Sequence, residues 1–174
     1  KLEIKNQTQA QKILDDLKDA NYQVSDIKTE IKSRYPAPPF MTSTLQQEAA
    51  RKLHFSPKQT MRIAQGLYED GLITYMRTDS VQVSPLALAQ AKNVITEKFG
   101  SQYLPEKARI YRTRTLRAQE AHEAIRPTNL ARNEILDQNE STRLYNLIWQ
   151  RMLASQMKEA SFEETKADIS AGGY

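Results

Sequence analysis

The stretch GLITYMRTDS, residues 71–80, sets a phenol, a guanidinium and a carboxylate at every second position: Tyr75, Arg77 and Asp79. The segment reads as an extended strand. Successive strand side chains point to opposite sides, so these three are expected to share one face. A tyrosine hydroxyl titrates near ~10 and is a poor nucleophile at neutral pH, whereas arginine stays charged and grips phosphate oxygens with two donors. The pairing points to a tyrosine that attacks phosphorus. Spacing alone leaves open a half-buried strand tyrosine in the same place.

Upstream of the motif, helix signals are dense. Ser43 with Gln46 fits a capping box, and Leu45, Ala49 and Leu53 recur at helical spacing, which predicts a helix from about 43 to 53. Ser56, Pro57 and Gln59 repeat the start signal, and Met61, Ala64, Leu67 and Tyr68 form an apolar stripe that ends at Gly71. Downstream, Ser84 and Pro85 open a third helix with Leu88, Ala91, Ile95 and Phe99 facing inward and Gly100 closing it. Two helices, a tight turn and a strand resemble a winged helix-turn-helix. Residues 118–128, AQEAHEAIRPT, read as a helical stretch halted by Pro127. Leu144, Leu147, Ile148 and Leu153 predict a last helix from Ser141 onward.

The ends differ in character. Residues 8–20 predict a short helix with Ile13, Leu14 and Leu17 on its apolar side, and residues 22–32 predict a strand through Tyr22, Val24, Ile27 and Ile31. The run RYPAPPF follows, where Pro36, Pro38 and Pro39 push their neighbours out of the helical region and mark a passage into another domain. Residues 160–170, ASFEETKADIS, read as a strand that pairs with the first piece or with strands elsewhere. The expectation is a mainly helical α+β chain with a helical domain over 36–157, flanked by strand-bearing pieces at 1–35 and 158–174.

Composition narrows the class of function. The chain has 174 residues, with 25 Lys and Arg against 21 Asp and Glu and a net charge of +4, too mild by itself to establish a nucleic-acid partner. Distribution says more: Arg109, Arg112, Arg114 and Arg117 follow one another with no acid between them, enough to meet several phosphates along one backbone. A solvated basic loop is the other reading of that run. Absence of cysteine removes disulfides and thiolate zinc sites and suits a reducing cytoplasm. No apolar run approaches the roughly 20 residues of a membrane helix, so no membrane partner is expected. No phosphate loop of the form G-x-x-x-x-G-K-[ST] occurs.

Eight tyrosines compete for the role of nucleophile. Tyr68 falls in a core stripe, Tyr22 in a strand, Tyr35 in the proline-rich passage and Tyr145 in a helix. Tyr111 is the rival, flanked by Arg109 and Arg112, but it lacks a carboxylate at the matching spacing and a preceding helix end to hold it rigid. His122 lies in AHEAIRP with Glu120, Glu123 and Arg126 nearby. A helical i, i+4 relation would put His122 and Arg126 on one face. His54 reads as a helix C-terminal or surface residue.

GLITYMRTDS resembles the nucleophile motif of the type IA DNA topoisomerases, and Met76 resembles the bacterial topoisomerase I form rather than topoisomerase III or reverse gyrase. QEAHEAIRPT, residues 119–128, and PFMTSTLQQEA, residues 39–49, are similar to further segments of the same family, in the same order. The resemblance covers nearly the whole chain. It implies a tyrosine domain flanked by strands of a discontinuous β-rich arch, in which Tyr75 attacks single-stranded DNA to give a 5′-phosphotyrosyl bond. Arg77 would then hold the scissile phosphate while Asp79 and His122 support the site, and Arg77, Arg109, Arg112, Arg114, Arg117 and Arg126 are the expected DNA contacts. Strand passage before resealing would relax negative supercoils without ATP, in a bacterial cytoplasm at the nucleoid. The family's other half-site is a Mg²⁺-binding toprim domain with a Glu and a Lys near the phosphate. No segment here resembles it, so the chain is expected to be an internal fragment unable to complete catalysis, with Mg²⁺ bound outside it and no metal ligands of its own. A winged-helix DNA-binding module without chemistry is the alternative.

Overall fold

A computed structural model describes residues 3–111, 123–132 and 139–174. Backbone contacts divide the chain into two units, Lys1–Arg34 with Ser161–Tyr174, and Tyr35–Ala160.

The first unit holds α1 (Gln7–Lys18) and the strands β1 (Gln23–Arg34) and β2 (Ala160–Ser170, which begins at the unit's edge), paired as a two-stranded sheet. Asn6 caps α1 by accepting the Gln9 N–H at 2.8 Å, satisfying one of the orphan donors of the first turn. Register is marked by Ser25 Oγ donating to Asp168 O, by Thr29 against Thr165 and by the Lys32–Glu164 ion pair, so the strands run antiparallel. The expected apolar side of α1 is only half-covered: Ile13 and Leu17 are half-buried and Leu14 is exposed. Val24, Ile27 and Ile31 are likewise exposed.

The second unit is built from α2 (Thr42–Leu53), α3 (Pro57–Glu69), α4 (Pro85–Lys98) and α5 (Glu140–Ser155). Its main core joins Leu45 and Ala49 of α2, Ile63, Ala64 and Leu67 of α3, and Leu144, Tyr145, Leu147 and Ile148 of α5 with Phe40, Phe55, Ile73, Met76 and Ile125. A second cluster packs Ala91, Val94 and Ile95 of α4 on Met152 and Leu153 of α5 and on Leu130. Trp149 touches both clusters and donates its ring N–H to Leu130 O at 2.9 Å. Each aliphatic side chain buried this way contributes about 1.5–3 kcal/mol.

Several expectations need correction. α2 starts one residue before Ser43, with Met41 as its N-cap. Thr44, not Gln46, closes the box by accepting the Met41 N–H at 3.1 Å. Phe99 and Tyr68 are exposed rather than inward. Residues 71–80 form no strand of a sheet, and among the described residues the second unit contains only isolated antiparallel bridges, Phe40 with Ile125 and Ile73 with Pro127. A wing hairpin is therefore not formed by the described residues. The described part of the supposed helix at 118–128, residues 123–128, is extended: its backbone is bonded to Gln82, Phe40, Thr74 and Leu72 instead of to itself. Pro127 suits this path, since the bridge bonds come from Arg126 O and the Thr128 N–H on either side of it.

Candidate active site

The motif begins where α3 ends. Gly71 adopts φ +69, the left-handed conformation that glycine enters without a Cβ penalty, and its N–H donates to Tyr68 O while the Leu72 N–H donates to Leu67 O, both at 2.9 Å. This pair of bonds is a Schellman stop. It turns the chain sharply, so Tyr75 lies four residues beyond the glycine that closes a rigid helix end.

The next residues are clamped from two sides. Thr74 donates its N–H to Arg126 O at 2.9 Å and its hydroxyl to Ala124 O at 2.7 Å, and its Oγ1 accepts the Arg126 N–H at 3.0 Å. On the other side, Thr42 in the first turn of α2 holds Met76 and Thr78. Ile73 and Met76 are anchored in the core at 1% and 3% exposure. The backbone groups that a sheet would have paired are thus bonded to threonine hydroxyls and to the extended 123–128 segment. Burial still alternates as the sequence predicts: Tyr75, Arg77 and Asp79 are exposed, while Met76, Thr78 and Ser80 are buried. The phenol, guanidinium and carboxylate are therefore all exposed on a backbone that is fixed without a β-ladder.

Tyr75 is 43% exposed and packs edge-on against Tyr68, with ring centroids 5.3 Å apart and an interplanar angle of 67°. The exposed Tyr68 is thus a neighbour of the candidate nucleophile and not a core residue. Among the described residues, no ion pair engages Arg77 or Asp79.

Tyr111 stands in a different environment. Its hydroxyl lies 2.9 Å from Ser155 O and 3.1 Å from Pro36 O, placed to donate to either carbonyl. Burial pushes the phenol above its ordinary value, and the charges of Arg109 and Arg151 only partly oppose this. A phenol that is hard to ionise and already donating its proton makes a poor nucleophile.

The predicted cationic residues separate. Arg109 is bound to Glu159 at 2.6 Å, donates to Met157 O at 2.8 Å and stacks on Tyr35, with its side chain 18% exposed. Arg126 is 12% exposed and paired with Glu123 through both Nε and Nη2. To meet a phosphate, either would have to exchange its carboxylate partner. Arg112, Arg114, Arg117 and His122 lie outside the described residues, so the suggested His122–Arg126 face does too. His54 caps α2 at φ +61, an exposed left-handed C-cap.

Glu123 was missed as an organising residue, because its partner Ser84 lies 39 positions away. It accepts the Ser84 N–H at 2.9 Å, just ahead of α4, and it neutralises Arg126. Burial, the largest influence, would raise its carboxyl; the hydrogen bonds from Ser84 and the charge of Arg126 outweigh that and hold it below the ordinary value. Among the described residues no group of three or more acidic or histidine side chains is placed to hold a metal. No helix of the described residues is long and apolar enough to cross a membrane.

The family model described as DNA topoisomerase matches residues 1–174. The chain belongs to the bacterial type IA DNA topoisomerases. It is 51% identical over 172 residues to DNA topoisomerase 1 of Zymomonas mobilis, covering 99% of this chain and 14% of that protein. To DNA topoisomerase 1 of Haemophilus influenzae it is 47% identical over 177 residues, covering 100% of this chain and 20% of that one. The solved structure of full-length topoisomerase I from Thermotoga maritima superposes with a TM-score of 0.75 at 39% identity, over 97% of this chain and 28% of the other. The chain thus spans about a fifth or less of these two curated topoisomerases, and the mixed helix-and-strand architecture agrees with the solved one.

Proposed function

We propose that this chain carries the nucleophile half of a type IA topoisomerase active site, with Tyr75 as the attacking residue. The observation that supports it is the exposure of Tyr75, Arg77 and Asp79 on a loop whose intervening side chains are buried. In the reaction the Tyr75 phenol gives up its proton as its oxygen bonds to phosphorus, the bond to the 3′ oxygen breaks, and that oxygen takes up one proton and leaves as a hydroxyl, so that no net proton is gained or lost. One phosphodiester replaces another, so resealing by reversal needs no ATP, and passage of a second strand before resealing relaxes negative supercoils. Arg77 offers two donors to the non-bridging phosphate oxygens. Asp79, His122 and the arginines at 109, 112, 114, 117 and 126 belong to the same reading as supporting and DNA-contacting groups, with Arg109 and Arg126 the weakest because of their carboxylate partners.

The substrate on this reading is single-stranded DNA in the bacterial cytoplasm. Mg²⁺, supplied from outside these residues, would neutralise charge on the reacting phosphate. The paired α2 and α3, joined by a short turn, support a helix-turn-helix character for the body that carries the loop. Alone, the chain is expected to bind single strands weakly, with a log–log salt slope of roughly −0.7 per phosphate contacted, and not to cleave.

The test uses the full-length topoisomerase that contains this segment, Mg²⁺ and labelled single-stranded DNA. Tyr75→Phe should abolish the covalent adduct and leave folding intact. Arg77→Lys should reduce cleavage more than binding. An adduct that persists in the Phe variant, or that maps to Tyr111, overturns the assignment. Binding without any adduct in the unaltered enzyme would favour a non-catalytic DNA-binding module.

A further inference from the structure

Thr42 occupies an unusual position. Its hydroxyl lies 2.8 Å from Met76 O and 3.0 Å from Thr78 O, and the same oxygen accepts the Thr78 N–H at 2.9 Å. Its own N–H donates to Thr78 O at 2.9 Å. One residue of α2 therefore fixes the peptide groups on either side of Arg77, the one before it through Met76 O and the one after it through the Thr78 N–H, while Met76 is sunk in the core and Thr78 is 7% exposed. Thr74, the residue before Tyr75, is held separately, by the 124–126 segment.

We infer that Thr42 is the positioning residue for Arg77: its hydroxyl locks the two peptide planes that bracket the arginine and so aims the guanidinium at the scissile phosphate. This rests on the reading of Tyr75 and Arg77 above. The hydroxyl's single proton serves one carbonyl at a time, but acceptance from the Thr78 N–H is satisfied in either state, so the clasp survives the exchange. Without the hydroxyl, Met76 O and the Thr78 N–H lose their side-chain partner and residues 76–78 gain freedom. A guanidinium that must meet two phosphate oxygens at once is sensitive to such loosening, since catalytic groups tolerate only small misplacement.

The experiment is a double-mutant cycle in the full-length enzyme, read as the single-turnover rate of adduct formation together with single-strand affinity. Thr42→Val keeps the shape and removes the hydroxyl; Thr42→Ser restores it. Thr42→Val should slow adduct formation by about tenfold, the size of effect expected for losing a bond to a preorganised loop, with DNA affinity changed by less than about twofold. Thr42→Ser should stay within about twofold of the parent. In an Arg77→Lys background, where there is no fork left to aim, Thr42→Val should cost less than about twofold. A purely structural threonine would slow both backgrounds equally, and that result overturns the inference, as does a Thr42→Val enzyme that cleaves normally. If Thr42→Val does not fold, Thr42→Ala, which admits water to the carbonyls, runs the same cycle against the same criteria. Tyr75→Phe run in parallel separates the two levels. An adduct surviving there removes the nucleophile reading and this inference with it, whereas Tyr75 dependence with equal losses in the cycle refutes Thr42 alone.

Discussion

Thr74→Val tests whether the loop is held by side-chain hydrogen bonds in place of a sheet. Valine keeps the branch and nearly the volume but cannot replace a hydroxyl. Two short bonds disappear, the one donated to Ala124 O at 2.7 Å and the one accepted from the Arg126 N–H at 3.0 Å, together with a long contact to Arg126 O at 3.4 Å. The first is worth about 0.5–1.5 kcal/mol, and stranding the half-buried Arg126 N–H costs about 1–3 kcal/mol more. Thr74 and Arg126 are only half-buried, so water relieves part of this and the expected loss is about 2–3 kcal/mol. For a unit of this size that corresponds to a melting temperature lower by about 8–12 °C. Urea unfolding of the 174-residue chain, followed by fluorescence of its single tryptophan, measures it, because Trp149 sits where the two clusters of the second unit meet. A midpoint shift equivalent to less than about 0.5 kcal/mol at unchanged slope would refute the reasoning. The bridge between residues 72–74 and 126–128 would then be sustained by its backbone bonds alone.

Glu123→Gln should lower stability at neutral pH and flatten the acid limb. The folded carboxyl lies below its ordinary value near 4.5, so its contribution is complete above that value and is lost as the pH falls through the depressed one; urea midpoints taken from neutral pH down to about 3 show whether the slope changes. Tyr111→Phe should cost about 1 kcal/mol through the lost bonds to Ser155 and Pro36 and leave covalent DNA capture unchanged, which adduct assays in the full-length enzyme would establish. His54→Gly should raise stability by about 0.5–1 kcal/mol, because glycine adopts φ +61 without the strain of a Cβ; thermal melting decides it.

Helices α3 and α4 were legible because apolar spacing, an N-cap serine and a first-turn proline agreed on the same boundary, and α2 and α5 through their apolar spacing. The motif was legible in its exposure pattern but not in its backbone. Alternation at Tyr75, Arg77 and Asp79 arises from packing Met76 on the helices, and the hydrogen bonds that a strand would have used go to Thr42 and Thr74, residues whose partners lie 36 and 50 positions away. Residues 123–128 misled because Glu123 and Ala124 favour helix locally, whereas Ile125 is drawn into the core beside Phe40. Nothing in the local pattern announces such a partner. The same holds for Glu123, and for Arg109 and Arg126, whose carboxylates are supplied by the tertiary path.

The alternation through residues 75–80 also separates two kinds of evolutionary constraint on neighbouring codons. Odd positions face outward and can be altered with little effect on folding, so loss of activity there is a defect of chemistry in a well-folded protein. Even positions are buried, so damage there reaches the active site through the scaffold, and the part of it that is lost stability should be recoverable by stabilising substitutions elsewhere. Among inactive variants in this hexapeptide, the parity of the residue number is therefore enough to forecast which can be rescued by a compensating mutation and which cannot.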